Sequence, residues 1–206
     1  MKKHISLIDF GAGNLHSVYK AFKYVGADIE ITKDPKIIEK SDLVVFPGVG
    51  AFGAVMNSIR KNNLEEIIIN QAKSKKPFLG ICVGMQVLFE SGEENPDVKG
   101  LEIFKGKVVR FKKAKKVPHI GWNSVTWRSK IVPTALDYPE SNEKYYFVHS
   151  YYVVPEDKSI IFAETDYDDE KFVSVISTNN LTAVQFHPEK SGDAGLSFVA
   201  NFLKSI

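Results

Sequence analysis

The chain has 206 residues, which is long enough for one large α/β domain with a substantial buried core. Hydrophobic residues make up 44% and charged residues 25%, and the formal net charge of +2 comes from 27 Lys and Arg against 25 Asp and Glu. This near balance excludes nucleic acid and anionic membranes as default partners, because binding to either is driven by a clear excess of positive charge.

The single cysteine, Cys82, excludes an internal disulfide framework and fits a reducing compartment. The N-terminal sequence MKKHISLIDF begins with two lysines after the methionine, but Asp9 ends its apolar run too early for a signal peptide. No apolar run in the sequence is long enough to span a bilayer. We therefore expect a cytoplasmic protein.

The first half of the chain alternates short apolar runs with segments of helical period. Strands are predicted at ISLIDF, DIEIT, DLVVF and PFLGI, and helices at LHSVYKAFKYVG, at DPKIIEK and in two segments that break near Asn62 and Asn63. This alternation predicts parallel βαβ units in a doubly wound sheet with helices on both faces. Ligands of such sheets bind beyond the carboxyl ends of the strands, where DFGAGN, FPGVG and GICVG lie.

The second half is richer in strands. From Lys107 to Gln185 the β-rich segments KVVRF, NSVTW, YYFVHSYYVV, IIFAET, FVSVIS and TAVQF come close together. They predict an antiparallel β extension of the same domain, and GLSFVANFLKSI predicts an amphipathic helix that closes the chain. No Ser/Gly linker or internal repeat divides the sequence, so residues 1–206 are predicted to form one domain.

The strand PFLGI leads directly into Cys82, and a helix is predicted to begin near Val83. The pattern G-x-C-x-G parallels the G-x-S-x-G elbow of the hydrolases, whose sharp turn leaves no room for side chains beside the nucleophile. A helix N-terminus favours a thiolate, and the Val83 amide would point to where an oxyanion forms. Most lone cysteines are buried structural residues. Here Gly80, Gly84 and the strand–helix context favour a nucleophile.

A thiolate nucleophile needs a base and a group that orients the base. The segment AVQFHPEK places His187 and Glu189 two residues apart after a predicted strand, where extended geometry turns both side chains to one side. Pro188 restricts the backbone between them, and Glu189 can fix the tautomer of the imidazole. A surface turn would explain an isolated H-P-E equally well. The histidines and the cysteine have no metal-ligand spacing, so no metal site is expected.

Together, GICVGMQ and FHPEKS resemble the class I, triad-type glutamine amidotransferases. The segments IDFGAGNLHSV, FPGVGAFG, GICVGMQVLFE, VPHIGWN, YFVHSYY and FHPEKS are similar, more particularly, to the glutaminase subunits of imidazole glycerol phosphate synthase. The resemblance implies the flavodoxin-like amidotransferase fold, no cofactor, and hydrolysis of L-glutamine to L-glutamate and ammonia through a glutamyl thioester. It implies Cys82 as the nucleophile, His187 as the residue that protonates the ammonia, and Glu189 as its orienter.

The same resemblance implies further residues of the site. PGVG would be an oxyanion strand in which a backbone amide near Gly48 and Val49 joins that of Val83, although a Gly/Pro turn explains the same letters. Because glycine accepts positive φ, this strand is expected to turn either way, with an inactive orientation in the lone subunit. Substrate binding is implied for a separate set of residues: Gln86, Ser150 and Tyr151.

The ammonia implies a partner protein. In the family, a cyclase subunit with a (β/α)8 barrel receives ammonia through its interior and makes imidazole glycerol phosphate and AICAR in histidine biosynthesis, so a heterodimer with an ammonia channel is expected. VPHIGWN would supply the interface residues Pro118, Ile120 and Trp122, with Lys190 as an interfacial lysine. Trp122 would fit a core position as well. The segment KKAKK, 112–116, is expected to be a solvated loop.

Three other functions compete with this hypothesis. A paralogous glutaminase that supplies a cyclase-like partner aminating a surface-sugar precursor would use identical chemistry. A catalytically silent regulatory subunit would have lost a triad residue, and all three are present in the sequence. A cysteine hydrolase or protease of similar fold would not be expected to carry FHPEKS and PHIGWN.

Overall fold

The structure is a computed structural model that describes residues 3–11, 13–128 and 143–204. Within these ranges the strands are β1 (His4–Ile8), β2 (Asp28–Thr32), β3 (Leu43–Phe46), β4 (Phe78–Ile81), β5 (Phe89–Gly92), β6 (Phe104–Arg110), β7 (His119–Ser124), β8 (Thr126–Trp127), β9 (Lys144–His149), β10 (Tyr151–Pro155), β11 (Ile161–Tyr167), β12 (Glu170–Ser177) and β13 (Leu181–Val184). The α-helices are α1 (Leu15–Tyr24), α2 (Pro35–Lys40), α3 (Phe52–Lys61), α4 (Glu65–Lys73), α5 (Val83–Gln86) and α6 (Gly192–Lys204).

The helix boundaries in the first half follow the start and stop signals in the sequence. The Asn14 side chain accepts a hydrogen bond from the amide of Ser17 and begins α1, and Gly26, with φ +87°, lies just beyond its end. Asp34 caps α2 in the same way, and Pro35 is its first residue. Ala12 of DFGAGN and the last two residues of the predicted C-terminal helix lie outside the described residues.

The largest sheet has eight strands in the order β2-β1-β3-β4-β13-β12-β11-β8. The strands from β2 to β13 pair in parallel, and β12, β11 and β8 continue the sheet in antiparallel pairing. The connection from β1 to β2 runs toward the β2 edge of the sheet. The connections from β2 to β3 and from β3 to β4 run in the opposite direction, toward the β8 edge. Right-handed crossovers therefore put α1 on one face and α2, α3 and α4 on the other. The predicted fold class, a doubly wound sheet with an antiparallel extension, is confirmed. The one-domain prediction for 1–206 stays a prediction.

The segment TAVQF has a different place from the one predicted. It was expected in the antiparallel extension, whereas β13 pairs in parallel with β4 inside the large sheet, with Val184 opposite Ile81. All four residues of β13 are buried, which is the pattern of a strand covered on both faces. The carboxyl ends of β4 and β13 therefore lie side by side.

The helix after Cys82 is also shorter than predicted. The helix α5 is a single turn, and the buried run that follows it becomes β5, a strand that the sequence pattern did not reveal. Strand β5 joins β6 and β10 in a three-stranded sheet, and β7 pairs with β9 in a separate antiparallel ribbon. YYFVHSYYVV therefore breaks at Ser150 into two strands that belong to different sheets.

Two glycines let the turn after β4 pack closely against its neighbours. A Cβ on Gly84 would lie 2.2 Å from the carbonyl oxygen of Phe46, at the end of β3. A Cβ on Gly80 would lie 3.0 Å from the Cβ of Ala183 on β13. The G-x-C-x-G pattern is therefore a requirement of packing between three adjacent strand ends.

We expect Gly84→Ala to lower the free energy of unfolding by about 3 kcal/mol or more, because backbone has to move to accommodate the methyl group. Gly26→Ala is the control, because a Cβ at position 26 would meet no other atom. Its only cost is that of a positive φ in a non-glycine residue, about 1–2 kcal/mol. Urea denaturation of the two variants measures both values. Equal losses of unfolding free energy in the two variants would show that β3 does not pack closely against this turn.

Candidate active site

Cys82 occupies a strained turn at the carboxyl end of β4. Its backbone angles are φ 54° and ψ −113°, a conformation that costs a non-glycine residue about 1–3 kcal/mol. The amide of Cys82 donates to the carbonyl of Val184 at 2.7 Å, and its carbonyl accepts from the amide of Met85 at 2.9 Å. The side chain is almost fully buried, with the residue 3% exposed. The geometry is that of a nucleophile elbow.

His187 and Glu189 are in direct contact, as the sequence predicted. Nδ1 of His187 lies 2.8 Å from Oε1 of Glu189, and the two side chains are 1% and 3% exposed. The backbone reason for the contact differs from the prediction, because Pro188–Lys190 form a 3₁₀ turn and are not extended. The hydroxyl of Ser191 donates to the His187 carbonyl at 2.6 Å and so holds this turn.

The electrostatics of the pair favour a protonated imidazole. Burial alone would lower the pKa of His187, but the negative charge of a Cys82 thiolate, together with the hydrogen bond to Glu189 and its negative charge, raises that pKa to about 10. Nδ1 of His187 faces the carboxylate of Glu189, which leaves Nε2 as the ring nitrogen available for proton transfer at Cys82. The three side chains can therefore act as nucleophile, proton carrier and orienting carboxylate.

A cavity of 280 Å³ opens beside the Cys82 sulfur. Its walls come from the ends of β3, β4 and β13 and from the ribbon and sheet strands β9 and β10. They are formed by Val49, Gly50, Cys82, Val83, Gln86, Glu94, Pro118, Val148, His149, Ser150, Tyr151 and His187. The three residues expected to bind substrate, Gln86, Ser150 and Tyr151, are all among them. DFGAGN is not, since it follows β1, two strands away from β4.

The backbone groups predicted as oxyanion donors are not arranged as donors in this structure. The amide of Val83 donates to the carbonyl of Gly48 at 3.3 Å, so that carbonyl fills the place where an oxyanion would lie. The Gly48 carbonyl and the Val49 amide belong to one peptide and point in opposite directions, so the Val49 N–H faces away from Val83. The oxyanion-hole assignment stays a prediction that requires this peptide to turn.

Sequence reasoning missed three polar residues of the site. Glu94 lines the cavity, and its Oε2 accepts from the amide of Phe52 at 2.8 Å. Gln185 is fully buried beside Cys82, with Nε2 3.6 Å from the sulfur. His149, within the segment YFVHSYY, lines the cavity as well. Gln185 could have been found, because it lies two residues before His187 after the same strand, whereas Glu94 lies in a turn with no distinctive pattern.

The ribbon of β7 and β9 extends from the cavity to an exposed apolar surface. Pro118 and Val148 line the cavity, and Ile120 pairs with Val148 across the ribbon. Ile120 is 56% exposed and Trp122 53% exposed, so Trp122 is not a core residue. Lys190 is exposed as well. The structure therefore exposes Ile120, Trp122 and Lys190, and it places Pro118, partly buried, in the cavity wall.

The segment 112–116 is solvated only at its side chains. Its four lysines are exposed, but the amides of Lys112, Lys113 and Ala114 all donate to the carboxylate of Glu170. Burial acts to raise the pKa of Glu170, but these amide hydrogen bonds outweigh it and the pKa is lowered. The loop that leads into β7 is therefore fixed at its backbone.

Neither a metal centre nor a membrane-spanning helix is found within residues 3–11, 13–128 and 143–204. In these ranges no group of three or more His, Cys, Asp and Glu side chains is placed to hold a metal ion. No helix within the same ranges is long and apolar enough to cross a membrane. The cytoplasmic location stays a prediction.

Comparison with known proteins identifies the kind of chain in which this site occurs. The family described as glutamine amidotransferase class-I matches residues 6–206. Among curated relatives, the imidazole glycerol phosphate synthase subunit HisH of Pyrococcus furiosus is 48% identical over 198 residues, with 96% of this chain and 97% of the relative covered. The HisH subunits of Acinetobacter baylyi and Methanothermobacter thermautotrophicus are 46% and 44% identical, with 97% and 98% of each chain covered.

Solved structures of more distant proteins share the fold. The structure of PurLQS from Thermotoga maritima matches with a TM-score of 0.77 at 17% identity and covers 99% of both chains. A structure described as a glutamine amidotransferase matches with a TM-score of 0.74 at 15% identity, over 98% of this chain and 99% of that one.

The raised pKa of His187 gives a pH-dependent test of its contact with Glu189. A group whose pKa is raised on folding stabilises the fold below its unfolded value, near 6.5, and that contribution is lost as the pH rises through about 10. We expect Glu189→Gln to lower the free energy of unfolding by about 2 kcal/mol just below pH 6.5. Near pH 10 the loss should be clearly smaller.

Urea denaturation at the two pH values measures this difference. Glu65→Gln is the control, because Glu65 forms a partly exposed ion pair with Arg60, whose charge is the same at both values. An equal loss for Glu189→Gln at both pH values would contradict the charged pair.

Proposed function

The chain belongs to the class-I glutamine amidotransferase family, and from this premise we propose that Cys82, His187 and Glu189 are its catalytic triad. Its function is to hydrolyse L-glutamine and to supply the ammonia to imidazole glycerol phosphate synthase in histidine biosynthesis. The observation that carries the triad is that Cys82 and His187 line the same cavity, with Nδ1 of the buried imidazole 2.8 Å from Oε1 of Glu189 and Nε2 without a hydrogen-bond partner among the described residues.

The reaction has two halves that use the same groups. In the first, the Cys82 thiolate attacks the carboxamide carbon of glutamine, and protonated His187 gives its proton to the departing nitrogen, which leaves as ammonia. In the second, His187 takes a proton from water, whose oxygen attacks the thioester carbon and releases glutamate and the thiolate. Glu189 remains ionised throughout and stabilises the imidazolium.

The polar groups around the cavity suit an amino acid. The carboxylate of Glu94 is a counter-charge for the α-ammonium group, because it is an acidic side chain in the cavity wall. Ser150 and Tyr151 line the same cavity, and their backbone is assigned to the α-carboxylate. Gln86, buried and hydrogen-bonded to the Tyr151 carbonyl, is assigned to the substrate beside Cys82.

The orientation of the peptide between Gly48 and Val49 supports a resting state of low activity. A turn of this peptide would free the Val83 amide and aim the Val49 N–H at the developing oxyanion. Each missing oxyanion donor costs about 10²–10³ in kcat in other acyl transferases. The peptide therefore acts as a gate that prevents hydrolysis of glutamine when no acceptor awaits the ammonia.

The apolar face of the β7–β9 ribbon is assigned to the cyclase subunit, in a heterodimer through which ammonia passes to a (β/α)8 barrel. Support comes from the exposure of Ile120 and Trp122 and from the continuity of this face with the cavity walls at Pro118 and Val148. Exposed aromatic residues of this kind are typical anchors of protein interfaces. Lys190 is assigned to the edge of the same face.

The competing functions are less favoured. Relatives with 44–48% identity over nearly their whole length carry the name of the synthase subunit, which argues against a surface-sugar pathway. In a silent regulatory subunit, the strained backbone at Cys82 and the buried His187–Glu189 pair would cost stability without any catalytic benefit.

We expect Cys82→Ala to reduce glutamine hydrolysis to background and to leave the fold intact, since alanine fits the space of the thiol. The complex of this variant with the cyclase should still form product from added ammonium salts. Circular dichroism and urea denaturation check the fold, and release of glutamate measures the activity. Turnover by the folded variant would contradict the assignment of the nucleophile.

We expect the isolated chain to hydrolyse glutamine at least about 100-fold more slowly than its complex with the cyclase and the cyclase's nucleotide ligand, because the oxyanion donors are turned away.

Trp122→Ala should weaken cyclase binding about tenfold or more and reduce the stimulation at subsaturating cyclase. Titration with cyclase, followed by glutamate release, measures both quantities.

Tyr24→Ala is the matched control, because Tyr24 is an exposed aromatic residue on α1, at 80% exposure, away from the ribbon. Equal rates with and without cyclase would rule out the gate. If Trp122→Ala and Tyr24→Ala bind the cyclase equally well, the ribbon is not the interface.

A further inference from the structure

Two buried glutamine side chains link the Cys82 sulfur to a backbone carbonyl. Nε2 of Gln86 donates to the carbonyl oxygen of Tyr151 at 2.9 Å and to Oε1 of Gln185 at 3.0 Å. Nε2 of Gln185 then lies 3.6 Å from Sγ of Cys82. Gln185 has no exposed surface and Gln86 is 4% exposed, so little water competes for these hydrogen bonds.

The Tyr151 carbonyl fixes the orientation of both side-chain amides. A carbonyl oxygen only accepts hydrogen bonds, so the group of Gln86 that faces it must be the NH₂ group. The second hydrogen of that group requires an acceptor, and the atom of Gln185 that faces it is therefore the oxygen. The NH₂ group of Gln185 is left facing Cys82. The sulfur thus meets a donor.

We propose that Gln185 is a positioning residue that donates a hydrogen bond to the Cys82 sulfur and holds it as a thiolate toward the substrate carbon. The proposal rests on the proposed function, since it deepens the role of Cys82 in glutamine hydrolysis. An amide N–H stabilises a thiolate more than a neutral thiol. The thiolate is the form of Cys82 before attack and again when the thioester is hydrolysed, so the donor acts in both halves of the reaction.

Gln185 differs from His187 in what it can supply. His187 carries a proton to the departing nitrogen, so its charge changes during the reaction. The amide of Gln185 does not titrate, and its N–H remains a donor throughout. The residue directly follows β13, and its backbone amide donates to the carbonyl of Ser174 on β12 at 2.9 Å. The donor is therefore built on the rigid centre of the sheet.

Other titratable groups also face this part of the cavity. They are His187 after β13, His149 at the end of β9 and Glu94 after β5, with Glu189 behind His187. Substitution of Gln185 leaves all four in place, so a change in thiol reactivity can be assigned to the lost donor.

Alkylation by iodoacetamide tests the proposal without glutamine, because only the thiolate reacts and Cys82 is the one cysteine of the chain. Gln185→Met removes the donor and keeps the length of the side chain. Gln185→Glu keeps an oxygen for Gln86 but places an acceptor against the sulfur. We expect the pH at half-maximal alkylation to rise by about one unit in the Met variant and further in the Glu variant. The kcat for glutamine should fall about tenfold with a smaller change in KM.

The control is Gln71→Met, which removes another buried glutamine, 6% exposed, from α4, outside the cavity wall. It should leave the alkylation profile unchanged. If the profile of either folded Gln185 variant coincides with that of the wild type, the proposal is overturned. If the profiles shift as expected but the wild-type complex does not hydrolyse glutamine, the proposed function fails and the assignment of Gln185 to the sulfur stands.

Discussion

The parallel pairing of β13 with β4 is the constraint on which the site depends. Val184 lies opposite Ile81, and the Cys82 amide donates to the Val184 carbonyl, so the two strands end at the same level. Cys82 follows the last residue of β4, and Gln185 and His187 follow β13 within three residues. A shift of register by one residue would turn the side chains of one strand end away from those of the other. One strand pair therefore sets the positions of the proposed nucleophile, of its proposed hydrogen-bond donor and of the proposed proton carrier.

The turn after β4 couples catalysis to the surface of the protein. Gly84 packs against the end of β3, so the strained cysteine and the peptide that follows Gly48 are in contact. Val49, Gly50, Pro118 and Val148 all line the cavity. Because Val148 belongs to the β7–β9 ribbon, a protein that docks on the ribbon would contact an element that forms part of the cavity wall. This geometry would give the proposed partner a short physical route to the peptide between Gly48 and Val49.

Much of this arrangement could be predicted from the sequence, because the first half of the chain is locally consistent. Caps at Asn14 and Asp34 mark the helices, and the flanking glycines mark the elbow. The place of β13 could not be predicted from its pattern, since a short buried run gives no sign of which strand it pairs with. The spacing of Gln185 from His187 indicates that both residues face one site, but the contact of Gln185 with the Cys82 sulfur depends on the pairing of β13 with β4.

Among the site residues, those placed by nearby sequence could be predicted, and those placed by packing between distant segments could not. The contact of His187 with Glu189 followed from their spacing, although the turn that makes it is a 3₁₀ turn. Glu94 lies shortly after β5, which pairs in parallel with β6, and the sequence pattern did not reveal this strand. The orientation of the Gly48–Val49 peptide depends on one hydrogen bond from Val83, which no sequence pattern encodes.

The central claim is that the Cys82 sulfur forms a covalent bond to the carbonyl carbon of glutamine. The most direct measurement is acid quenching of the active complex during turnover, followed by peptide mapping by mass spectrometry. The account predicts the added mass of one glutamyl group on the peptide that contains Cys82, and its disappearance once glutamine is exhausted. Rapid turnover with no adduct on Cys82, or with the adduct on another residue, would contradict it.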